Sequence, residues 1–167
     1  MNWKQPKVYA VKHKDEATRV ASRSGGIFTA LSDQVLSNGG VGYGCVLTDK
    51  FDAVHIRADN EKDRNRMRGS KYIQSKLGDT FKSVKADLDA QNSVLFSGTS
   101  CQVAGLKKYL GKEYDNLFCV DIVCHGVPSK KVWNAYLRWQ KQKNHSEIAS
   151  VDFRNKKDFG WHDHVET

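Results

Sequence analysis

The stretch Ser93-Val94-Leu95-Phe96-Ser97-Gly98-Thr99-Ser100-Cys101-Gln102 decides how this chain folds. A short apolar run leads into a loop of glycine and small polar residues, and Val103, Leu106 and Leu110 then recur at helical spacing. That order reads as strand, loop and helix. The arrangement returns further on: Leu117-Phe118-Cys119-Val120-Asp121-Ile122-Val123 is the second strand. Cys124-His125-Gly126-Val127-Pro128-Ser129 is its loop, and Val132, Trp133, Tyr136 and Leu137 mark one side of its helix. Two such units in series predict an α/β fold with a mixed, largely parallel central sheet flanked by helices.

Upstream, Val8-Tyr9-Ala10-Val11 reads as a short strand, and Ile27, Phe28, Leu31, Val35 and Leu36 as a helix ending at Asn38-Gly39-Gly40. Val41-Gly42-Tyr43-Gly44-Cys45-Val46-Leu47 and Ala53-Val54-His55-Ile56-Arg57 are strands that the turn Thr48-Asp49-Lys50 joins as a hairpin. The nearly all-charged run 60–68 is a solvated helix or loop. Residues 77–88 form an amphipathic helix with Phe81, Val84 and Leu88 on one side. Downstream, 148–153 reads as another strand. The run from Asp158-Phe159-Gly160-Trp161 to Thr167 stops in mid-pattern, so the sheet is expected to be incomplete at the C-terminus.

The chain has 167 residues, of which 39% are apolar, which suits one domain with its own core and argues against wholesale disorder. No run approaches the roughly 20 apolar residues of a spanning helix, and Met1-Asn2-Trp3-Lys4 leads into no apolar signal region; a cytoplasmic protein without a membrane span is expected. The net charge is +8, but the lysines come in scattered pairs such as Lys107-Lys108 and Lys130-Lys131 rather than in one stripe with interleaved aromatics. No nucleic-acid partner is therefore expected; basic loops of this kind can instead steer an anionic cofactor or an acidic ferredoxin.

Of the four cysteines, Cys101 and Cys124 follow the carboxyl ends of predicted strands and precede helices. In an open parallel sheet such loops share one edge, the edge where ligands bind, and neighbouring strands run about 4.8 Å apart. The two thiols are thus placed to share a cluster, with the helix start favouring the Cys101 thiolate. Cys119 lies in a strand that looks buried on both faces and Cys45 in an apolar strand, so both read as small core residues. Cys124-His125 is no catalytic dyad, because adjacent side chains rarely face each other and no third orienting residue is visible.

Ser24-Gly25-Gly26 at a helix start offers bare amides and a hydroxyl to an anion, though the same triplet serves equally as a cap and turn. Ser70-Lys71-Tyr72-Ile73-Gln74-Ser75 offers a cation, a ring, an amide and two hydroxyls. It suits either a phosphate-bearing planar cofactor or an exposed polar strand.

Taken in order, Ser24-Gly25-Gly26-Ile27-Phe28, Gly69-Ser70-Lys71-Tyr72-Ile73-Gln74-Ser75, Leu95 to Gln102 and Cys124 to Ser129 resemble the coenzyme F420 hydrogenase/dehydrogenase beta-subunit family, from about Val8 to Trp161. The resemblance implies an iron–sulfur flavoprotein oxidoreductase that passes electrons between clusters, FAD and a small molecule, with a ferredoxin-type donor or acceptor. It implies that Ser24, Gly25, Gly26, Ser70, Lys71, Tyr72, Gln74 and Ser75, with Thr99 and Gln102, help to hold FAD. Cys101 and Cys124 resemble ligands of a 4Fe-4S cluster.

Ser100 stands where the family usually has proline, which frees an amide and relaxes the Cys101 loop. A ferredoxin-like segment before this region and a Cys-x-x-Cys segment after it are absent, and a cubane needs four thiolates. Residues 1–167 are therefore expected to be a single flavin-binding α/β domain that is a fragment of a longer protein. A non-catalytic remnant or binding scaffold is the alternative.

Overall fold

The computed structural model describes residues 5–160, and readings that rest on 1–4 or on 161–167, Trp161 among them, lie outside the described residues. The elements run α1 (Glu16–Ser22), α2 (Ile27–Ser37), β1 (Val41–Leu47), β2 (Ala53–Ala58), α3 (Glu61–Arg66), α4 (Thr80–Asp89), β3 (Val94–Thr99), α5 (Ser100–Leu110), β4 (Leu117–Ile122), α6 (Lys130–Asn144) and α7 (Lys156–Phe159).

The four strands form one mixed α/β sheet in the order β2-β1-β3-β4. β1 and β2 pair antiparallel, as the tight turn between them requires, with Cys45 opposite His55. β1 pairs parallel with β3, and β3 parallel with β4 from Val94↔Leu117 through to Thr99↔Ile122. The expected largely parallel sheet is thus present, and the carboxyl ends of β1, β3 and β4 share one edge.

Strand alternation sends Val41, Tyr43, Val94 and Phe96 to one face. There they pack with Val84 and Leu88 of α4 and Val103, Leu106 and Leu110 of α5. Phe96 and Leu106 are fully buried, each worth roughly 1.5–3 kcal/mol of apolar transfer. On the opposite face, Val46 and Ala58 pack with Met67 and the half-buried Phe28. A third cluster of Ala53, Ile73, Trp133 and Phe153 closes the turn end of the hairpin. α2 stops before Gly39, whose φ is +74°, as the Asn-Gly-Gly signal requires.

Four readings need correction. Residues 8–11 form no strand: Val8 and Tyr9 are largely exposed, and no sheet edge reaches them to pair their backbone. Residues 148–153 are irregular too; Phe153 is buried by the Trp133 cluster rather than by a strand partner. β4 is not buried on both faces, for it is an edge strand whose Phe118 is 53% exposed. Cys119 still meets the first core cluster from its inward side. The charged run 60–68 does form a short helix, but Arg64 within it is 1% exposed. Its guanidinium donates to Thr29 O and Ser32 Oγ at 3.1 and 3.0 Å and pairs with Asp33, which offsets the cost of burying the charge.

Candidate functional site

The loop 70–76 crosses the carboxyl edge of the sheet, pinned to β2 by Lys76 N–H donating to Ala53 O and His55 N–H donating to Lys76 O. From there it touches the other motifs. Gln74 N–H donates to Pro128 O at 3.3 Å, which joins it to the Cys124 segment. Ser75 Oγ accepts from Gln102 Nε2 at 2.7 Å, which joins it to the Cys101 helix. At its other end, the space beside Gly69 is filled by Arg23 Cδ, next to Ser24-Gly25-Gly26. Three motifs are therefore tied together at this edge, and the fourth follows Arg23 at the start of the loop.

Gly26 has φ +78° and a Cβ there would lie 2.8 Å from His13 Cβ, so glycine alone allows α2 to start at this point. Gly26 provides no side-chain cap, so the first amides of α2 are left without one. Arg68 reaches the same turn, donating through Nε to Thr29 Oγ1 at 3.1 Å. Its two terminal nitrogens have no hydrogen-bond partner among the described residues. The neighbouring Arg23 is tied to Asp152 and to Phe153 O.

Lys71 is the electrostatic centre. Its ammonium donates to the carbonyls of Arg66 and Arg68 at 2.9 and 3.0 Å, and no carboxylate pairs with it among the described residues. Burial pushes its pKa down to about 8, with Arg23 and Arg66 adding to the effect and Cys45 opposing it. An anion arriving here would find a largely buried ammonium without a carboxylate partner and a guanidinium with two nitrogens not bonded to protein among the described residues. Tyr72 lies on the apolar side, its ring 6.0 Å from that of Phe153, with its hydroxyl accepting from Arg154 Nη1 at 3.3 Å.

Cys45 is both a core residue and a neighbour of this site. It packs against the Trp133 cluster, and burial raises its thiol pKa while Lys71 and the Ser75 hydroxyl work against that rise. Across the hairpin, His55 stacks on Phe96 and its Nε2 lies 3.2 Å from Ser97 O. A carbonyl can only accept, so Nε2 carries the proton, and burial holds the ring neutral by lowering its pKa.

Cys101 is the second residue of α5 and Cys124 the second residue after β4, and both are exposed free thiols. Since Thr99 and Ile122 are partners in register, both cysteines stand two residues beyond the same rung of adjacent parallel strands. Thr99 Oγ1 lies 3.2 Å from Cys101 Sγ, and Cys124 Sγ accepts from Gly126 N–H at 3.3 Å. Ser100, in the place of the family's usual proline, donates to Asp121 Oδ1 at 2.8 Å and so fastens the Cys101 turn to β4. Among the described residues no group of three or more His, Cys, Asp or Glu gathers as a metal site. Two exposed thiols stand at this edge, against the four thiolates that a cubane takes.

The structure ties Gln74 and Ser75 to the Cys124 segment and the Cys101 helix at this edge, and sets Arg23, beside Ser24-Gly25-Gly26, against Gly69 at the start of the loop that carries Ser70, Lys71 and Tyr72. Arg23, Arg68 and Cys45 join them, although Cys45 reads in the sequence only as a small core residue. Arg68 had one local signal, its position immediately before the Gly69-Ser70-Lys71 motif. Arg23 had the matching one, its position immediately before Ser24-Gly25-Gly26, but its partner Asp152 lies 129 residues away.

An open, mostly parallel α/β sheet whose motif-bearing loops gather at the carboxyl ends of its strands belongs to the open α/β class, in which that edge is the usual place for ligands. The chain belongs to the coenzyme F420 hydrogenase/dehydrogenase beta-subunit family. Residues 8–82 match the family model for the N-terminal part of the coenzyme F420 hydrogenase/dehydrogenase beta subunit, and residues 91–166 match the model for its C-terminal part. Among solved structures, a chain of the xenon-derivatised F420-reducing NiFe hydrogenase complex from Methanosarcina barkeri shares the fold. Its TM-score is 0.64 at 19% identity, over 84% of this chain and 50% of that one. This chain thus spans about half the length of that structural relative. No curated protein matches it. Among the described residues, no helix is long and apolar enough to cross a membrane.

Proposed function

We propose that this chain is the FAD-binding and cluster-ligating core of an oxidoreductase that moves electrons between iron–sulfur clusters, flavin and a small molecule. What supports this reading is that the loop of one family motif is hydrogen-bonded to two others, starts beside the fourth, and carries Lys71, which no carboxylate pairs with among the described residues. The α2 amides above Gly25-Gly26, with Lys71 and Arg68, would hold the pyrophosphate, because a helix start and charge-assisted donors favour phosphate oxygens. Ser24, Ser70, Gln74, Ser75 and Thr99 offer polar groups around it, and Tyr72 and the Trp133 cluster offer an apolar wall for a planar ring.

Bound flavin would supply the exchange between single-electron and hydride transfer. Cys101 and Cys124 would supply two thiolates to a 4Fe-4S cluster, the other two coming from a further segment or partner. Basic loops would receive an acidic ferredoxin-type protein. The setting is cytoplasmic.

The test is a visible spectrum with iron and sulfide analysis of the purified chain after anaerobic incubation with FAD, iron and sulfide. The reading expects a flavin band with FAD retained through desalting, and its loss in Lys71→Gln. A protein that stays colourless and releases all FAD would instead mark a remnant scaffold.

A further inference from the structure

We propose that Gln102 is a positioning residue that couples the Cys101 thiol position to the cofactor loop, so that filling one tightens the other; this rests on the reading above. A single amide makes both connections. Gln102 Oε1 accepts from Thr99 N–H at 3.0 Å, which fastens the first turn of α5 around Cys101. Gln102 Nε2 donates to Ser75 Oγ at 2.7 Å, which fastens the loop carrying Lys71 and Tyr72. Because the amide is planar and committed at both ends, it cannot follow a shift of one partner without straining the bond to the other.

The rest of the edge is built to keep this amide in place. A Cβ on Gly98 would come 3.0 Å from Gln102 Oε1, 3.2 Å from its Cβ and 2.9 Å from Phe96 Cε1, so any residue but glycine there would displace the side chain. The helix turn is braced from the other side by Ser100 donating to Asp121 at 2.8 Å. The same loop also holds the Cys124 segment through Gln74 N–H and Pro128 O. A metal fixed by Cys101 would immobilise residues 100–102, and with them the Ser75 end of the loop. By reciprocity, an anion that orders the loop would order the thiol.

The experiment measures FAD affinity by fluorescence quenching on the full chain, with and without anaerobic iron and sulfide loading. FAD is expected to bind about tenfold tighter to the loaded protein, within the roughly 5–150-fold range of site-to-site coupling. Ser75→Ala removes the bridge while leaving the Gln102 to Thr99 bond. It should erase that ratio, and Ser75→Thr, which keeps the hydroxyl, should retain it. Equal affinities in the loaded and unloaded wild type, or an unchanged ratio in Ser75→Ala, overturn the coupling.

If FAD or iron fails to bind at all, the reading of the function falls, and the coupling is then decided on the protein alone. Hydrogen exchange of the Thr99 amide, which donates to Gln102 Oε1, should be about threefold faster or more in Ser75→Ala than in wild type, since releasing the other end of the Gln102 amide lets that bond open more often. Equal rates overturn it.

Discussion

The two strand–loop–helix units follow the same sequence pattern but have different fates in the structure. β3 is buried from Val94 to Gly98, and α5 lies on it through Val103, Leu106 and Leu110. β4 carries an equally apolar pattern, yet Phe118 is 53% and Ile122 39% exposed. α6 does not cover it; that helix is anchored near the hairpin turn, where Trp133 Nε1 donates to Phe51 O at 2.8 Å. The difference is one of neighbours. β3 has a strand on each side and β4 on only one, so identical local patterns end in a core strand and an open edge.

The largest test of this contrast is Phe96→Ala, which should cost about 3–5 kcal/mol by leaving a cavity between sheet and helices. Its readout is the urea midpoint, and a loss below about 1 kcal/mol would break the comparison.

Lys71→Gln should weaken FAD binding by about 1.5–3 kcal/mol, or roughly 10–100-fold, while changing stability little or even favourably, since it removes a buried charge. The pH dependence follows from the sign of the shift. With its pKa lowered by burial from 10.5 to about 8, folded Lys71 loses its proton before the unfolded chain does. Its contribution to stability therefore improves from about pH 8 to the ordinary lysine value. Its grip on an anion fades over the same window. FAD titrations across that range should show weakening in wild type and none attributable to this group in Lys71→Gln.

In the second unit, the Ser129 side chain accepts from Val132 N–H and caps α6. Ser129→Ala should cost about 1 kcal/mol, visible in hydrogen exchange of α6 ahead of global unfolding. The smallest effect belongs to Phe118→Ser, expected within about 0.5 kcal/mol of wild type because little packing is lost at so exposed a position. A loss of several kcal/mol there would show that β4 is covered in solution.

The site was legible in the sequence to the extent that its residues are local. Glycine runs, the Lys71-Tyr72 motif and thiols after strand ends announce themselves within a few positions. The ties that make them one site span far longer separations: Arg23 to Asp152, Gln102 to Ser75, and Gln74 to Pro128. The same limit explains why residues 148–153 misled. An apolar run states that it will be buried, but not whether a strand partner or the Trp133 cluster will bury it.

By itself, then, the sequence determined the four strands of the sheet, the helices α2, α4, α5 and α6, and the mixed α/β class, because periodicity and glycine act over a turn or a rung. Only the tertiary structure decided that β3 lies inside and β4 at the edge, that Arg64 is a buried charge, and that Lys71 lacks a counter-charge. Burial and pairing depend on which distant segments arrive alongside, and it is desolvation at that meeting point that turns an ordinary lysine into the centre of a site.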